Sequence, residues 1–277
     1  MLGDILVHVP SERLARPVID GAISLAMAHK ARLQAVSIGY ETANIGVPLN
    51  GGPAVAAVFE MEHESARKRA DTALSVFDTE ARNAGIACSL KAITGAMYDA
   101  AAQVGAMARL ADLTILLQPD YERDTFDNAV PVEILFQCGG PVLFVPYIHK
   151  GPLQFKRIGI AWDGSRLAAR ALRDASSFLK DAEEVAIISV NESSKPENPS
   201  AAELAAHLAR RGLTARFEYT SADKVDIQAT ILSIAADAGL DLIVMGAYSH
   251  SRLQERLLGG VTRGMLQSMT VPTLMSH

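Results

Sequence analysis

The chain repeats itself, and this repetition constrains its fold more than any single motif does. An apolar run at residues 5–10 returns in similar form at residues 158–163. A second apolar run, at residues 111–117, returns at residues 240–246. Because both runs recur in the same order, the sequence predicts two copies of one folding unit.

The two copies differ in length, since the matched runs lie closer together in the second copy. We place the extra segment of the first copy in residues 40–60, which are rich in Gly and Pro. The copies then correspond to domains at residues 1–148 and 153–277, joined by a linker at residues 146–152. A chain of 277 residues is long enough for two such cores.

Within each copy, short runs rich in Val, Ile and Leu alternate with segments of helical spacing. The predicted strands are residues 4–10, 33–38, 86–93, 113–117, 142–145, 157–162, 185–190, 214–220, 242–245 and 271–275. The predicted helices include residues 11–30, 55–84, 96–110, 166–179, 200–212 and 223–238. Continuous apolar strands indicate parallel sheets covered on both faces. The sequence therefore predicts an α/β fold with two repeated, doubly wound, five-stranded parallel sheets of Rossmann-like type.

Residue types at the helix ends predict several caps. Ser11 and Asp223 are expected to cap the helices that follow them. Ser200 and Glu203 have the spacing of a capping box. Gly139 and Gly140 are expected to end a helix of the first copy just before its last strand.

The charge and the apolar pattern exclude several classes of protein. A formal net charge of −5 argues against a nucleic-acid binder and against a protein that binds anionic membranes. No apolar run approaches the roughly 18 residues that a membrane-spanning helix needs. A strand begins within a few residues of the N-terminus, so we expect no signal peptide and a cytoplasmic location. Cys88 and Cys138 are expected to be reduced thiols.

The second copy carries a pattern suited to binding an anion. The strand at 242–245 ends at Gly246, a polar loop follows, and Gly259 and Gly260 open a helical segment. Glycine lets the backbone approach phosphate oxygens, and the first N–H groups of a helix are unpaired donors. In a doubly wound sheet the ends of the first and fourth strands meet, which brings Asp163 close to Gly246.

This pattern resembles the ATP-binding signature of the universal stress protein family. That signature is G-x-x-G, nine residues, and then G-[S/T], usually continued by Val and a hydroxyl residue. The chain has Gly246-x-x-Ser249, nine residues, and then Gly259-Gly260-Val261-Thr262. Ser249 stands in place of the second glycine, and Gly260 stands in place of the small hydroxyl residue. The resemblance implies ATP or ADP as the cofactor, with Mg²⁺ as a candidate companion ion and no protein ligands for a metal.

The resemblance also implies roles for residues around the nucleotide. Asp163 would contact the adenine and ribose, and the alternative is that it caps a helix together with Ser165. Val190 would flank the adenine, or it packs in the core. Arg252 would neutralise phosphate charge. The full set of candidate nucleotide-binding residues is Asp163, Val190, Met245, Gly246, Ser249, Arg252, Gly259, Gly260, Val261 and Thr262.

The first copy lacks these features. Pro10 stands at the position that matches Asp163, and residues 118–124 contain three acids and a proline but no glycine. Such a segment is a poor cradle for phosphates, so the sequence predicts that nucleotide binds in the second copy only.

Three functions remain open. The first is a nucleotide-binding stress or signalling module, and the second is an interaction or scaffold protein that binds no nucleotide. The third, an enzyme that hydrolyses nucleotides, lacks an S-G-G-x-D-S loop after the first strand and a placed general base. We therefore expect no catalytic residues, although slow hydrolysis of ATP is left open.

The last strand of each copy predicts how the copies associate. In the resembled family, units dimerise through this strand, which implies an intramolecular pseudo-dimer with antiparallel terminal strands that bury Phe144 and Leu274. The chain would then be a monomer or a homodimer. Its expected partners are an adenine nucleotide and an unidentified protein, with no nucleic acid and no membrane.

Overall fold

Strands and helices alternate along the chain as the hydrophobic pattern predicts. The computed structural model describes residues 2–41, 53–192, 197–248 and 260–277. The strands are β1 (Asp4–His8), β2 (Arg32–Tyr40), β3 (Cys88–Gly95), β4 (Leu113–Leu117), β5 (Val142–Val145), β6 (Arg157–Ala161), β7 (Glu184–Val190), β8 (Ala215–Thr220), β9 (Leu242–Gly246) and β10 (Thr273–Ser276). The helices are α1 (Arg16–His29), α2 (Pro53–Asn83), α3 (Met97–Ala108), α4 (Val130–Cys138), α5 (Arg166–Asp174), α6 (Ser176–Leu179), α7 (Ala201–Ala209), α8 (Ile227–Asp237) and α9 (Val261–Ser268), with a 3₁₀ turn at Phe126–Asn128. The predicted α/β class is confirmed.

Contacts within the chain define two compact units. The N-terminal unit contains residues 2–138 and 150–152, and the C-terminal unit contains residues 139–149 and 153–277. In the N-terminal unit the strand order is β3-β2-β1-β4, and all neighbours are parallel. The central strand β1 is buried because helices cover both faces of a doubly wound sheet.

The C-terminal unit contains a sheet with the order β5-β10-β9-β6-β7-β8. Its strands are parallel except for β5, which runs antiparallel to β10 and pairs Phe144 with Thr273 and Leu143 with Leu274. This is the antiparallel pairing of terminal strands that the sequence predicts. Phe144 and Leu274 are both fully buried, as expected.

Several helix ends follow the residue types that mark them. Ser200 and Glu203 form a complete capping box at the start of α7. Gly139 follows α4 with a φ of +71°, a conformation that glycine adopts without strain. The predicted helix at 166–179 is divided at Ala175 into α5 and α6.

Two predicted N-caps are wrong. The Ser11 hydroxyl donates to the carbonyl oxygen of Ile38 at 2.5 Å, and α1 begins only at Arg16. A hydrogen bond across the fold therefore takes the group that local capping would need. Asp223 accepts through its backbone oxygen from the N–H of Asp226, which is the true N-cap of α8. Residue type alone did not distinguish these two nearby aspartates.

Neither cysteine forms a disulfide; Cys138 is buried and Cys88 is half-buried. In the part of the chain that the structure describes, no helix has both the length and the apolar character to cross a membrane.

Candidate functional site

The candidate site lies at the topological switch point of the C-terminal sheet. β6 pairs with β7 on one side and with β9 on the other, so the chain leaves β6 in one direction and returns on the opposite side. A crevice forms at such a point, outside the carboxyl ends of the two central strands. Asp163 follows β6, Gly246 ends β9 and Val190 ends β7. The topology thus brings these three predicted residues to the same edge of the sheet.

Asp163 is exposed and shapes the turn into α5. Its Oδ1 accepts a hydrogen bond from the Ser165 N–H at 2.9 Å, and the Ser165 hydroxyl oxygen accepts from the Ala168 N–H at 3.1 Å to cap the helix. The capping alternative is therefore observed. Because the turn uses one of the two carboxylate oxygens, Asp163 can also present an acceptor to a ligand at the crevice.

Gly246 is required for close packing. A Cβ atom there would lie 2.7 Å from the backbone nitrogen of Ala168 and 2.7 Å from the carbonyl carbon of Leu167, both in α5. The glycine therefore lets the end of β9 approach the helix, independently of any ligand. Met245 is 5% exposed and points into the core, whereas Val190 is half-buried at the end of β7.

The start of α9 offers backbone donors. Gly260 is the N-cap, with φ −65° and ψ 154°, and it has no side chain to cap the helix. The first N–H that bonds back along the helix is that of Gly264, to the Gly260 oxygen at 3.1 Å. The N–H groups of the first turn, including those of Val261 and Thr262, therefore have no partner within the helix.

Thr262 connects this helix to β9. Its side chain is 4% exposed, and its Oγ1 accepts a hydrogen bond from the Tyr248 N–H at 3.0 Å. Since Tyr248 lies two residues after Gly246, this bond holds the start of α9 beside the carboxyl end of β9. The hydroxyl proposed for phosphate thus already has a structural role.

Two residues with side chains adopt left-handed backbone conformations at this edge of the sheet. Tyr248 has φ +57° and Asn191, just after β7, has φ +56°. Asn191 is supported by two side-chain bonds to the backbone of Ala222, at 2.6 and 3.0 Å. Such strain often marks functional sites. No local sequence signal reveals it at Tyr248, because a tyrosine rarely adopts this conformation.

Three predicted site residues, Ser249, Arg252 and Gly259, lie outside the described residues. Within the described residues, no three His, Cys, Asp or Glu side chains converge in a way that could hold a metal ion.

The matching switch point of the N-terminal unit, between β1 and β4, is occupied by the chain itself. Asp127 is 2% exposed, and it lies in the turn after β4. Its Oδ2 accepts from the Glu12 N–H at 2.8 Å, and its Oδ1 accepts from the Tyr40 hydroxyl at 2.6 Å. Burial raises the pKa of Asp127, and the bonds from Tyr40 and Glu12 oppose that rise.

Asn128 completes this arrangement. Its Oδ1 accepts from the Asp120 N–H at 2.8 Å and from Nη1 of Arg13 at 3.1 Å. The same Nη1 donates to the Gln118 oxygen at 2.8 Å. The segment from 120 to 128 therefore covers the ends of β1 and β4, and its side chains bond to the loop after β1 and to Tyr40 at the end of β2. Sequence reasoning missed this cluster, because its members are distant along the chain.

Comparisons with known proteins agree with this architecture. The family model described as the universal stress protein family matches residues 154–277. A universal stress protein from Archaeoglobus fulgidus DSM 4304 superposes with a TM-score of 0.74 at 15% identity, over 98% of this chain and 95% of that one. A putative universal stress protein from Pseudomonas aeruginosa UCBPP-PA14 gives 0.62 at 15% identity, over 99% and 93%. At these identities the likeness establishes the fold. No curated protein sequence matches the chain.

Proposed function

We propose that the chain is a nucleotide-binding stress-response module of the universal stress protein family, whose model matches residues 154–277. In this proposal one ATP or ADP binds to the C-terminal unit. The observation that carries it is the start of α9, where a glycine N-cap leaves the first backbone N–H groups unpaired in the helix. Thr262 holds that helix start beside the end of β9, at the crevice where doubly wound sheets bind ligands.

Each candidate residue has a role in this proposal. The N–H groups of Gly260, Val261 and Thr262 donate to phosphate oxygens, and Asp163 accepts from the ribose hydroxyls. The remaining candidates, which flank the adenine or line the phosphate loop, are Val190, Met245, Gly246, Ser249, Arg252 and Gly259. Mg²⁺ would accompany the phosphates, as it commonly does in nucleotide sites.

The N-terminal unit supports an asymmetric stoichiometry. Asp127 places a carboxylate on the Glu12 N–H at the position where a ligand would meet the β1 loop. A nucleotide would have to displace this buried carboxylate to reach the turn after β1, and the charge of the carboxylate would repel its phosphates. Binding of nucleotide is therefore proposed for the C-terminal unit alone, in a chain built as a tandem repeat with domains at 1–148 and 153–277.

Isothermal titration of the full chain with ATP and ADP tests the proposal, and we expect a stoichiometry of about one. Gly260→Val should abolish binding, because its branched side chain covers the backbone donors. Gly260→Ser is the matched control, since it keeps a small residue and restores the hydroxyl of the family signature. The backbone at Gly260 has a negative φ that any residue adopts, so neither variant requires an unusual backbone conformation.

The results separate the competing functions. Two bound nucleotides per chain would refute the asymmetry, and unchanged ATP affinity in Gly260→Val would place the phosphates elsewhere. No binding by the wild-type chain would favour an interaction or scaffold protein, for which the engaged Thr262 hydroxyl is the supporting observation. Rapid multiple-turnover release of phosphate in a parallel assay would favour the third function, an enzyme that hydrolyses nucleotides.

A further inference from the structure

The N-terminal unit contains a second pocket that the nucleotide proposal does not use. It has a volume of about 530 Å³ and lies between the loop after β1, the start of α1 and the middle of α2. Its lining includes the basic side chains Arg13, Lys68 and Arg69 and the apolar side chains Leu14, Ile19 and Val76. No acidic side chain is among the described residues that line it. Its volume lies within the usual range for small-molecule sites.

Arg69 is held in this pocket by neutral oxygens. Its Nη2 donates to the Tyr40 carbonyl oxygen at 2.7 Å, and its Nη1 donates to the Ser65 hydroxyl at 3.2 Å. Its Nε is buried and has no hydrogen-bond partner in the described part of the chain. Glu12 interacts with Arg69 electrostatically, but these two side chains do not form an ion pair. The guanidinium is thus fixed in place without a carboxylate against it, which favours a bound anion.

One of the other lining cations has the same character. Lys68 is exposed and forms no ion pair with any other described residue. Arg13 differs, because it interacts electrostatically with Asp127 and donates to the oxygens of Gln118 and Asn128. A fourth lining cation, Arg16, differs because Asp20 and Glu80 pair with it on the surface. The positive charge that remains available in the lining therefore lies on Lys68 and Arg69.

We propose that this pocket binds an organic anion with an apolar body. The anionic head group lies against Arg69 and Lys68, and the body lies along Leu14, Ile19 and Val76. A phosphate or a carboxylate head satisfies the same donors, so the shared chemistry is an anionic head joined to an apolar chain. This site is in the N-terminal unit and is independent of the nucleotide proposed for the C-terminal unit.

The test uses the full chain and anilinonaphthalenesulfonate, a fluorescent aromatic anion, as the probe. Octanoate, octanol and inorganic phosphate then compete with the bound probe. Octanoate should displace the probe at a concentration at least about tenfold lower than either octanol or phosphate requires, since only octanoate supplies both parts of the ligand. Equal displacement by octanol would show an apolar groove without a head-group site. Equal displacement by phosphate would show an anion site without an apolar one, and either result overturns the proposal.

Two pairs of surface variants locate the site. Lys68→Glu should weaken octanoate binding by about tenfold or more, whereas Arg67→Glu, an exposed neighbour on α2 outside the lining, should change it by less than about twofold. Leu14→Asp should weaken octanoate binding to a similar extent. Leu110→Asp is its control and should leave binding unchanged, because Leu110 lies outside the pocket lining and is about as exposed as Leu14, at 88% against 84%.

All four positions are exposed, so the variants are expected to fold. ATP titration of Lys68→Glu should match that of the wild-type chain, which separates this proposal from the nucleotide site. Wild-type octanoate affinity in both Lys68→Glu and Leu14→Asp would overturn the assignment of the pocket.

Discussion

His8 gives the fold a built-in sensitivity to acid, and replacing it with leucine isolates the effect. The imidazole lies in β1 at 1% exposure, and its Nε2 has no hydrogen-bond partner among the described residues. Burial lowers the pKa of His8 from 6.5 to about 4, because the charged ring would lose its hydration in the core. Leucine has a similar volume and does not titrate.

The sign of the effect follows from the two pKa values. Between pH 6.5 and about 4 the unfolded chain binds a proton at His8 that the folded chain does not bind. The free energy of unfolding therefore falls as the pH drops through 6.5, and the loss is complete below about pH 4. The gap between the two values corresponds to about 3 kcal/mol in total. Between pH 7 and pH 5 the expected loss is about 2 kcal/mol.

Urea unfolding at pH 7 and pH 5, followed by far-ultraviolet circular dichroism, measures the loss in the free energy of unfolding for the wild-type chain and for His8→Leu. Glu12, Asp127 and Asp241 oppose His8, because their raised pKa values make folding favour their protonated forms in acid. These groups are the same in the wild-type chain and in His8→Leu, so the difference between the two proteins cancels them. The wild-type chain should lose about 2 kcal/mol more than His8→Leu. Equal losses would refute the reasoning.

Three further substitutions test the packing around the C-terminal sheet. Gly246→Ala should lower stability by about 1–3 kcal/mol in thermal unfolding, because its Cβ would lie 2.7 Å from the Ala168 nitrogen; wild-type stability would show that α5 can move away. Phe144→Asp should cost about 4 kcal/mol or more in urea unfolding, since it buries an unpaired charge, and a small effect would contradict the β5–β10 contact. Thr262→Val should cost about 1–3 kcal/mol and speed amide exchange at Tyr248, which loses its acceptor; unchanged exchange would mean that this bond does not form in solution.

Much of the fold could be predicted because the repeat fixes the order of elements and the apolar runs fix the strands. The capping box at Ser200 was equally readable, because both of its bonds are local. The start of α1 was not readable, since Ser11 bonds instead to Ile38 on the neighbouring strand β2. Local residue types predict local bonds, and they fail where a tertiary bond takes the same group.

The location of the candidate site could be predicted from the sequence, whereas the packing contacts around it could not. Topology alone brings Asp163 and Gly246 together, and the glycine pair anticipates the helix start at Gly260. The sequence could not show that Gly246 is needed for packing against α5, because that contact depends on how closely strand and helix approach. Nor could it show the left-handed Tyr248, whose conformation is imposed by the surrounding fold.

In both units a carboxylate accepts a backbone N–H in the turn after the first strand, but it comes from different places in the chain. In the C-terminal unit Asp163 accepts from the Ser165 N–H, two residues along the chain. The repeat aligns Ser165 with Glu12 and Asp163 with Pro10, so the N-terminal turn has no carboxylate of its own. Asp127 supplies it from the segment after β4, at 2.8 Å from the Glu12 nitrogen. That segment must then fold over the crevice to reach the turn. Loss of the aspartate and closure of the crevice are therefore linked, and new glycines after β4 would not reopen the site while Asp127 remained in place.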